Sequence, residues 1–252
     1  MFGGRKFLKV LSAPFAKRHY IALINMVLLY PDFLNCFRRY LFFSGDYPAK
    51  IKVRSQLGCL MPTLYAPDDM LTLNEIFCRM DYRVPKNTRV VVDIGANIGL
   101  SALYFLTSDP EVVCYLYEPV PQNVARLKRN LEKHEGRFFP KQKAVDIKSG
   151  RARFGVESTG RYGGLLKNHD EFIEVECVEI NGVLSEILRK QEKIDLVKID
   201  TEGTEVDLVQ AIKPEYLEKI GAIVFEGYPE KQVLSSQFRQ KQYGSICRLE
   251  KL

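Results

Sequence analysis

Three short stretches hold the residues whose types and spacing suit chemistry: Asp93-Ile94-Gly95-Ala96-Asn97-Ile98-Gly99, Tyr117-Glu118-Pro119 and Lys198-Ile199-Asp200-Thr201-Glu202-Gly203. In the first, an apolar run ends in glycine and a helical pattern begins at Leu100, which reads as strand, tight turn and helix. Glycine at 95 lets the backbone turn sharply and leaves no side chain between main chain and ligand, while the helix start offers amide hydrogens. In the second, Glu118 follows Gly95 by 23 residues at the end of another apolar run, the spacing at which an acidic side chain meets a cofactor ribose. Such a carboxylate can accept both ribose hydroxyls. The third places Asp200 and Glu202 at a further strand end, on the edge where open α/β sheets bind ligands.

The glycine loop departs from the dinucleotide pattern G-x-G-x-x-G. Asn97 stands at the second glycine, Leu100 at the third, and Gly99 falls one residue early, which disfavours a pyrophosphate cradle and an NAD-dependent dehydrogenase. Taken together, D-I-G-A-N-I-G, Y-E-P and K-I-D-T-E-G, in this order and spacing, resemble the FkbM family of methyltransferases over roughly residues 58 to 228. The resemblance implies a class I, Rossmann-like fold and the cofactor S-adenosyl-L-methionine. Its expected contacts are Asp93, Gly95, Ala96, Asn97 and Gly99 in the loop, Glu118 and Pro119 at the ribose, and Ala144 to Asp146 at the adenine. It implies transfer of a methyl group to a hydroxyl of a sugar, glycan or natural product, with Asp200 and Glu202 closest to the acceptor. Lys198 lies within its strand and reads as structural.

An alcohol becomes a competent nucleophile when a carboxylate or imidazole accepts its proton. Asp200 is the nominated base and Glu202 its orienter or substitute; the bland alternative is that both cap a helix opening at Thr201. His169 is the rival base, in a polar connection after Gly160-Arg161-Tyr162-Gly163-Gly164, with Arg161 and Tyr162 as candidate acceptor contacts. Glu226, before Gly227-Tyr228-Pro229, reaches the same edge by sequence order. Methylation of nitrogen or a carboxylate, and a non-catalytic binding module that keeps the cofactor fold, are the competing functional readings.

The elements that must position these residues follow from periodicity. Apolar runs at 90–94, 112–117, 138–145, 194–199 and 221–226 alternate with helical patterns near 98–107, 121–134, 183–191 and 204–212, which predicts a doubly wound, mostly parallel sheet. Residues 151–156 and 172–180 read as an antiparallel excursion. After Pro229 a helix over 231–241 and one strand over 245–249 are expected, so the seventh strand has no evident source. Upstream, residues 51–66 suggest a hairpin around Gly58, followed by a helix from Asp69 to about Met80 with Asp68 or Asp69 capping its first turn. The expected divisions are 1–50, a helical basic and apolar extension; 51–87, hairpin and helix; and 88–252, the cofactor-binding domain.

Composition bounds the rest. The 252 residues are 46% hydrophobic and 27% charged, the balance of a folded globular chain. The six cysteines form no C-x-x-C pair and no His stands at ligand spacing, so no metal site is expected and the thiols read as free in a reducing compartment. Residues 1–54 hold ten Lys or Arg against Asp32 and Asp46, a net +8 that leaves −2 for the remainder. Between Tyr20 and Phe43 the chain is mainly apolar, with Pro31 dividing two helices, and no run approaches the roughly 20 residues of a spanning helix. The expectation is a cytoplasmic protein whose basic extension, residues 1–50, reads first as an ordinary solvated helix face and alternatively as a peripheral membrane contact, with no nucleic-acid partner and a homo-oligomer as an open option.

Overall fold

The computed structural model describes residues 17–156, 163–164, 171–229, 232–234 and 236–252. They fall into two compact units, divided between Arg83 and Val84.

In the first unit, helices α1 (Lys17–Leu29) and α2 (Phe33–Phe42) meet at Pro31. Asp32 caps α2 by accepting from the Asn35 amide. Strands β1 (Ala49–Lys50) and β4 (Thr63–Leu64) pair antiparallel, as do β2 (Val53–Ser55) and β3 (Gly58–Leu60), which form the hairpin expected around Gly58. Helix α3 (Asp69–Leu73) runs directly into a π-helical turn, Asn74–Cys78. Asp69 does not cap α3: its carboxylate accepts the amides of Tyr65 and Ala66 at 2.6 and 3.0 Å, upstream of the helix. Asp68 occupies the cap position, and its side chain makes no capping bond to the first turn. Buried Met26 and Tyr30 hold α1 to the unit, with the Tyr30 hydroxyl on Asn74 Oδ1 at 3.0 Å and Asn25 Nδ2 donating to the Cys78 carbonyl at 2.7 Å.

The second unit is built on seven strands: β5 (Val90–Ile94), β6 (Val113–Tyr117), β7 (Phe138–Lys141), β12 (Ile194–Ile199), β13 (Ile220–Glu226), β14 (Phe238–Tyr243) and β15 (Ile246–Lys251). Their spatial order is β14-β15-β13-β12-β5-β6-β7. From β13 through β7 every pairing is parallel; β15 runs antiparallel to both β13 and β14. Two antiparallel steps restore direction, so β14 lies parallel to β13 with the reversed strand inserted between them. This is a mostly parallel, doubly wound, Rossmann-like sheet.

β5 and β12 are buried at every position, because helices cover both sheet faces. On one face Val92, Ile94, Val197, Ile199 and Phe225 pack with α6 (Ile180–Leu188), α7 (Glu205–Ala211) and α8 (Pro214–Leu217). Side chains alternate along a strand, so Asp93 and Lys198 point to the other face, where α4 (Leu100–Leu106) packs on β5 and β6. Helix α5 (Pro121–Asn130) begins with proline at its first turn.

Two expectations are corrected. The helix read over 231–241 gives way to β14 from Phe238, which supplies the seventh strand from within the chain. The strand read over 138–145 is two strands: β7 ends at Lys141, and β8 (Ala144–Asp146) belongs to a second sheet with β9 (Gly150–Val156), β10 (Gly163–Gly164) and β11 (Glu171–Glu179), in the order β10-β9-β11-β8. β9 and β11 form the antiparallel excursion, while β8 pairs parallel to β11.

Candidate active site

The loop after β5 is shaped by three left-handed residues, Gly95 (φ 79°), Asn97 (φ 47°) and Gly99 (φ 85°). Gly95 and Ala96 both donate to the Tyr117 carbonyl, at 2.9 and 3.0 Å, which lashes the loop to the tip of β6. A Cβ at position 95 would stand 1.9 Å from the Asp200 carbonyl oxygen, so glycine is required both by φ and by the close approach of β12.

Glu118 is buried at the end of β6. Oε2 accepts the Asn97 amide at 2.9 Å, and Oε1 accepts the Val120 amide at 3.0 Å and Asn123 Nδ2 at 3.3 Å. A carboxylate has about four acceptor positions, so these bonds leave roughly one, on Oε2, where the sequence suggested room for two ribose hydroxyls. Burial pushes the Glu118 carboxyl up to about 7 against the opposing pull of the Val120 and Asn97 amides, Asn123 and the Lys198 charge. Pro119 is buried beside it, and Ala144 packs with Val120, Phe154, Val175 and Cys177 into an apolar wall. Asp146, half-buried, accepts the Ile147 amide at 2.7 Å.

The Lys198 ammonium, 2% exposed, sits beneath this loop. Nζ lies 2.8 Å from the Gly95 carbonyl, 3.0 Å from Asp93 Oδ1 and 3.5 Å from Asp200 Oδ2. Burial alone would lower its pKa; Asp93 and then Asp200 overcome that and raise it, so the lysine is charged. Asp93 is fully buried and also accepts from Ser101 Oγ at 2.5 Å, so its carboxylate is engaged inside the protein. Asp200 extends past the strand end with about a quarter of its side chain exposed.

The helix expected near 204–212 opens at Glu205, not at Thr201 as the capping alternative required. Glu205, which sequence reasoning passed over, collects the loop amides: Oε1 accepts from Thr201 N at 2.8 Å and Gly203 N at 3.1 Å, and Oε2 from Gly203 N at 3.0 Å. The capping duty considered for Asp200 and Glu202 therefore falls to Glu205, whose position in the first turn was the available signal. Glu202 is half-exposed and left-handed (φ 64°), an unusual backbone state for a non-glycine residue. The structure thus brings Gly95, Ala96, Asn97, Glu118, Lys198 and Asp200 together at one sheet edge. Gly99 lies further along, its Cβ position 3.0 Å from Leu127. Glu226, exposed, ends β13, a strand further out. His169, Arg161 and Tyr162 lie outside the described residues.

This donor set fits the nucleoside end of S-adenosylmethionine: a strand-tip carboxylate with an open acceptor position for a ribose hydroxyl, and an apolar cluster around Ala144. No group of three or more His, Cys, Asp or Glu residues able to hold a metal occurs among the described residues.

Residues 93–247 match the methyltransferase FkbM domain. The chain is 27% identical to the 2-O-methyltransferase NoeI of Sinorhizobium fredii, over 59% of this chain and 66% of that protein. It is 27% identical to the 31-O-demethyl-FK506 methyltransferase FkbM of Streptomyces tacrolimicus, over 54% of this chain and 64% of that one. Across four such curated methyltransferases the chain spans 63–66% of their length. Among solved structures, M. capricolum TrmK in complex with S-adenosyl-homocysteine aligns at 14% identity and a TM-score of 0.39, covering 71% of this chain and 67% of that one.

Proposed function

The chain belongs to the FkbM methyltransferase family, whose cofactor is S-adenosylmethionine, and from that premise we propose that it methylates a hydroxyl group of a sugar, glycan or natural-product acceptor. The observation that carries the reading is the Asp200 carboxylate, set at the end of β12 against the Gly95 loop and braced by the buried Lys198 ammonium at 3.5 Å. When bound, S-adenosylmethionine supplies an electrophilic methyl carbon. Glu118 would accept a hydrogen bond from a ribose hydroxyl at its remaining acceptor position, and the Gly95 turn holds the Asp200 backbone close to the loop. Asp200 would accept the acceptor's O–H proton; the cofactor would supply the methyl group and leave as S-adenosylhomocysteine, so the products would be a methyl ether, S-adenosylhomocysteine and the protonated carboxylate. Glu202 orients the acceptor hydroxyl. The names of the NoeI and FkbM relatives, both O-methyltransferases, support the choice of oxygen.

The test is turnover of labelled S-adenosylmethionine with a panel of polyhydroxylated acceptors. Asp200→Asn should lower kcat by about 10²- to 10⁴-fold, the usual worth of a general base, while cofactor affinity stays within a few-fold of wild type. A label recovered on nitrogen, or an Asp200→Asn enzyme as fast as wild type, would refute this assignment.

A further inference from the structure

α1 is built in an unusual sense: its inward side carries the polar anchor Asn25 beside Met26 and Tyr30, and its outward side is the more apolar. Tyr20, Ile21, Leu23, Ile24, Val27 and Leu28 are each 42–59% exposed, and no charged residue interrupts Tyr20–Leu29. On α2 the stripe Leu34, Arg38, Phe42, spaced by four, is exposed along its length, Leu34 to 77%. A contiguous apolar patch of this kind on a soluble fold marks an interaction surface.

We propose that this face docks on an anionic phospholipid bilayer. α1 is 13 residues long, and no helix among the described residues is long and apolar enough to cross a membrane, so the helix lies in the interfacial plane. Charge selects the partner. The Arg54 guanidinium donates to the Leu28 carbonyl at 2.8 Å at the far end of α1, and Arg38 sits between Leu34 and Phe42. Residues 1–54 carry +8 while the rest carries −2. Pairing this face with a second copy would oppose two sets of like charges, whereas anionic headgroups neutralise them as the apolar side chains enter the acyl boundary. The inference uses the first unit alone and stands apart from the reaction proposed above.

Full-length protein is floated with vesicles of phosphatidylcholine and with vesicles of mixed phosphatidylcholine and phosphatidylglycerol. Wild type should float with the mixed vesicles only, and less in high salt. Ile24→Glu/Val27→Glu, and separately Leu34→Glu, should cut the bound fraction by about tenfold or more, since binding scales with the apolar area inserted. Their melting temperatures should stay at the wild-type value, because the replaced side chains are exposed. Absence of wild-type binding to mixed vesicles, equal binding to neutral ones, or undiminished binding by both variants overturns the proposal. So does light scattering that shows a wild-type dimer made monomeric by Ile24→Glu/Val27→Glu without any vesicle binding, which would make the face a contact between copies.

Discussion

At the scale of the residue, Lys198 is the centre on which the other assignments turn. Its ammonium neutralises a fully buried Asp93 and braces Asp200, so Lys198→Met strands the Asp93 carboxylate without its counter-ion. Breaking a buried pair from one side costs about 3–5 kcal/mol, and denaturant unfolding should report a loss of that order; unchanged stability would mean that the pair contributes nothing. Glu118 titrates in the opposite sense to an ordinary paired carboxylate. Its pKa is raised from 4.5 to about 7 in the fold, so its contribution is fully present below pH 4.5 and is lost as pH rises through 7. The span corresponds to roughly 3 kcal/mol. In Glu118→Gln the fall in stability between pH 5 and 8 should flatten, as followed by melting across that range. The ribose hydroxyl calls for the ionised form, so calorimetry should find cofactor binding that tightens from pH 6 to 8 in wild type and is weak and pH-independent in Glu118→Gln. Of these residues, Gly95, Glu118 and Asp200 were legible in sequence because strand-end position and spacing mark them. The engagement of Asp93 by Ser101 and Lys198 was not, since no local pattern tells which face of a fully apolar strand a lone charge will meet.

At the scale of the element, the strands β5, β6, β12 and β13 were legible because burial on both sides demands uninterrupted apolar runs such as Val90-Val91-Val92. β14 was not, for the complementary reason. Phe238-Arg239-Gln240-Lys241-Gln242-Tyr243 is an outermost strand with one buried anchor, Phe238, so its composition is that of a polar helix and only its pairing with β15 decides the matter. The break at Gln142-Lys143 was hidden in the same way: β7 and β8 are continuous in pattern and separate only because they join different sheets. Phe238 is 2% exposed in the main core. Phe238→Ala should therefore cost about 3–5 kcal/mol and lower the melting temperature, whereas Tyr243→Ala, at the exposed end of the same strand, should leave it nearly unchanged.

At the scale of the whole molecule, the sequence announced two kinds of material: a basic, apolar first part and an α/β body whose charges balance. The compact units divide between Arg83 and Val84, which charge alone does not mark, since the positive excess has already ended by Arg54. Hydrogen exchange should rank the amides of β5 and β12 as the slowest, because they lie at the middle of the sheet with partners on both sides. The short β1–β4 and β2–β3 ladders should exchange sooner.

The reversed strand has a consequence for how the molecule comes into being. β15 is the last strand of the sheet to be synthesised, yet it lies inside, between β13 and β14. Until the ribosome has released Ile246–Lys251, β13 stands as a bare edge, with Ile223 and Phe225 on a strand open to pairing with any neighbour. The hairpin of β14 and β15 closes that edge, so the seven-stranded sheet is completed only once Ile246–Lys251 is in place.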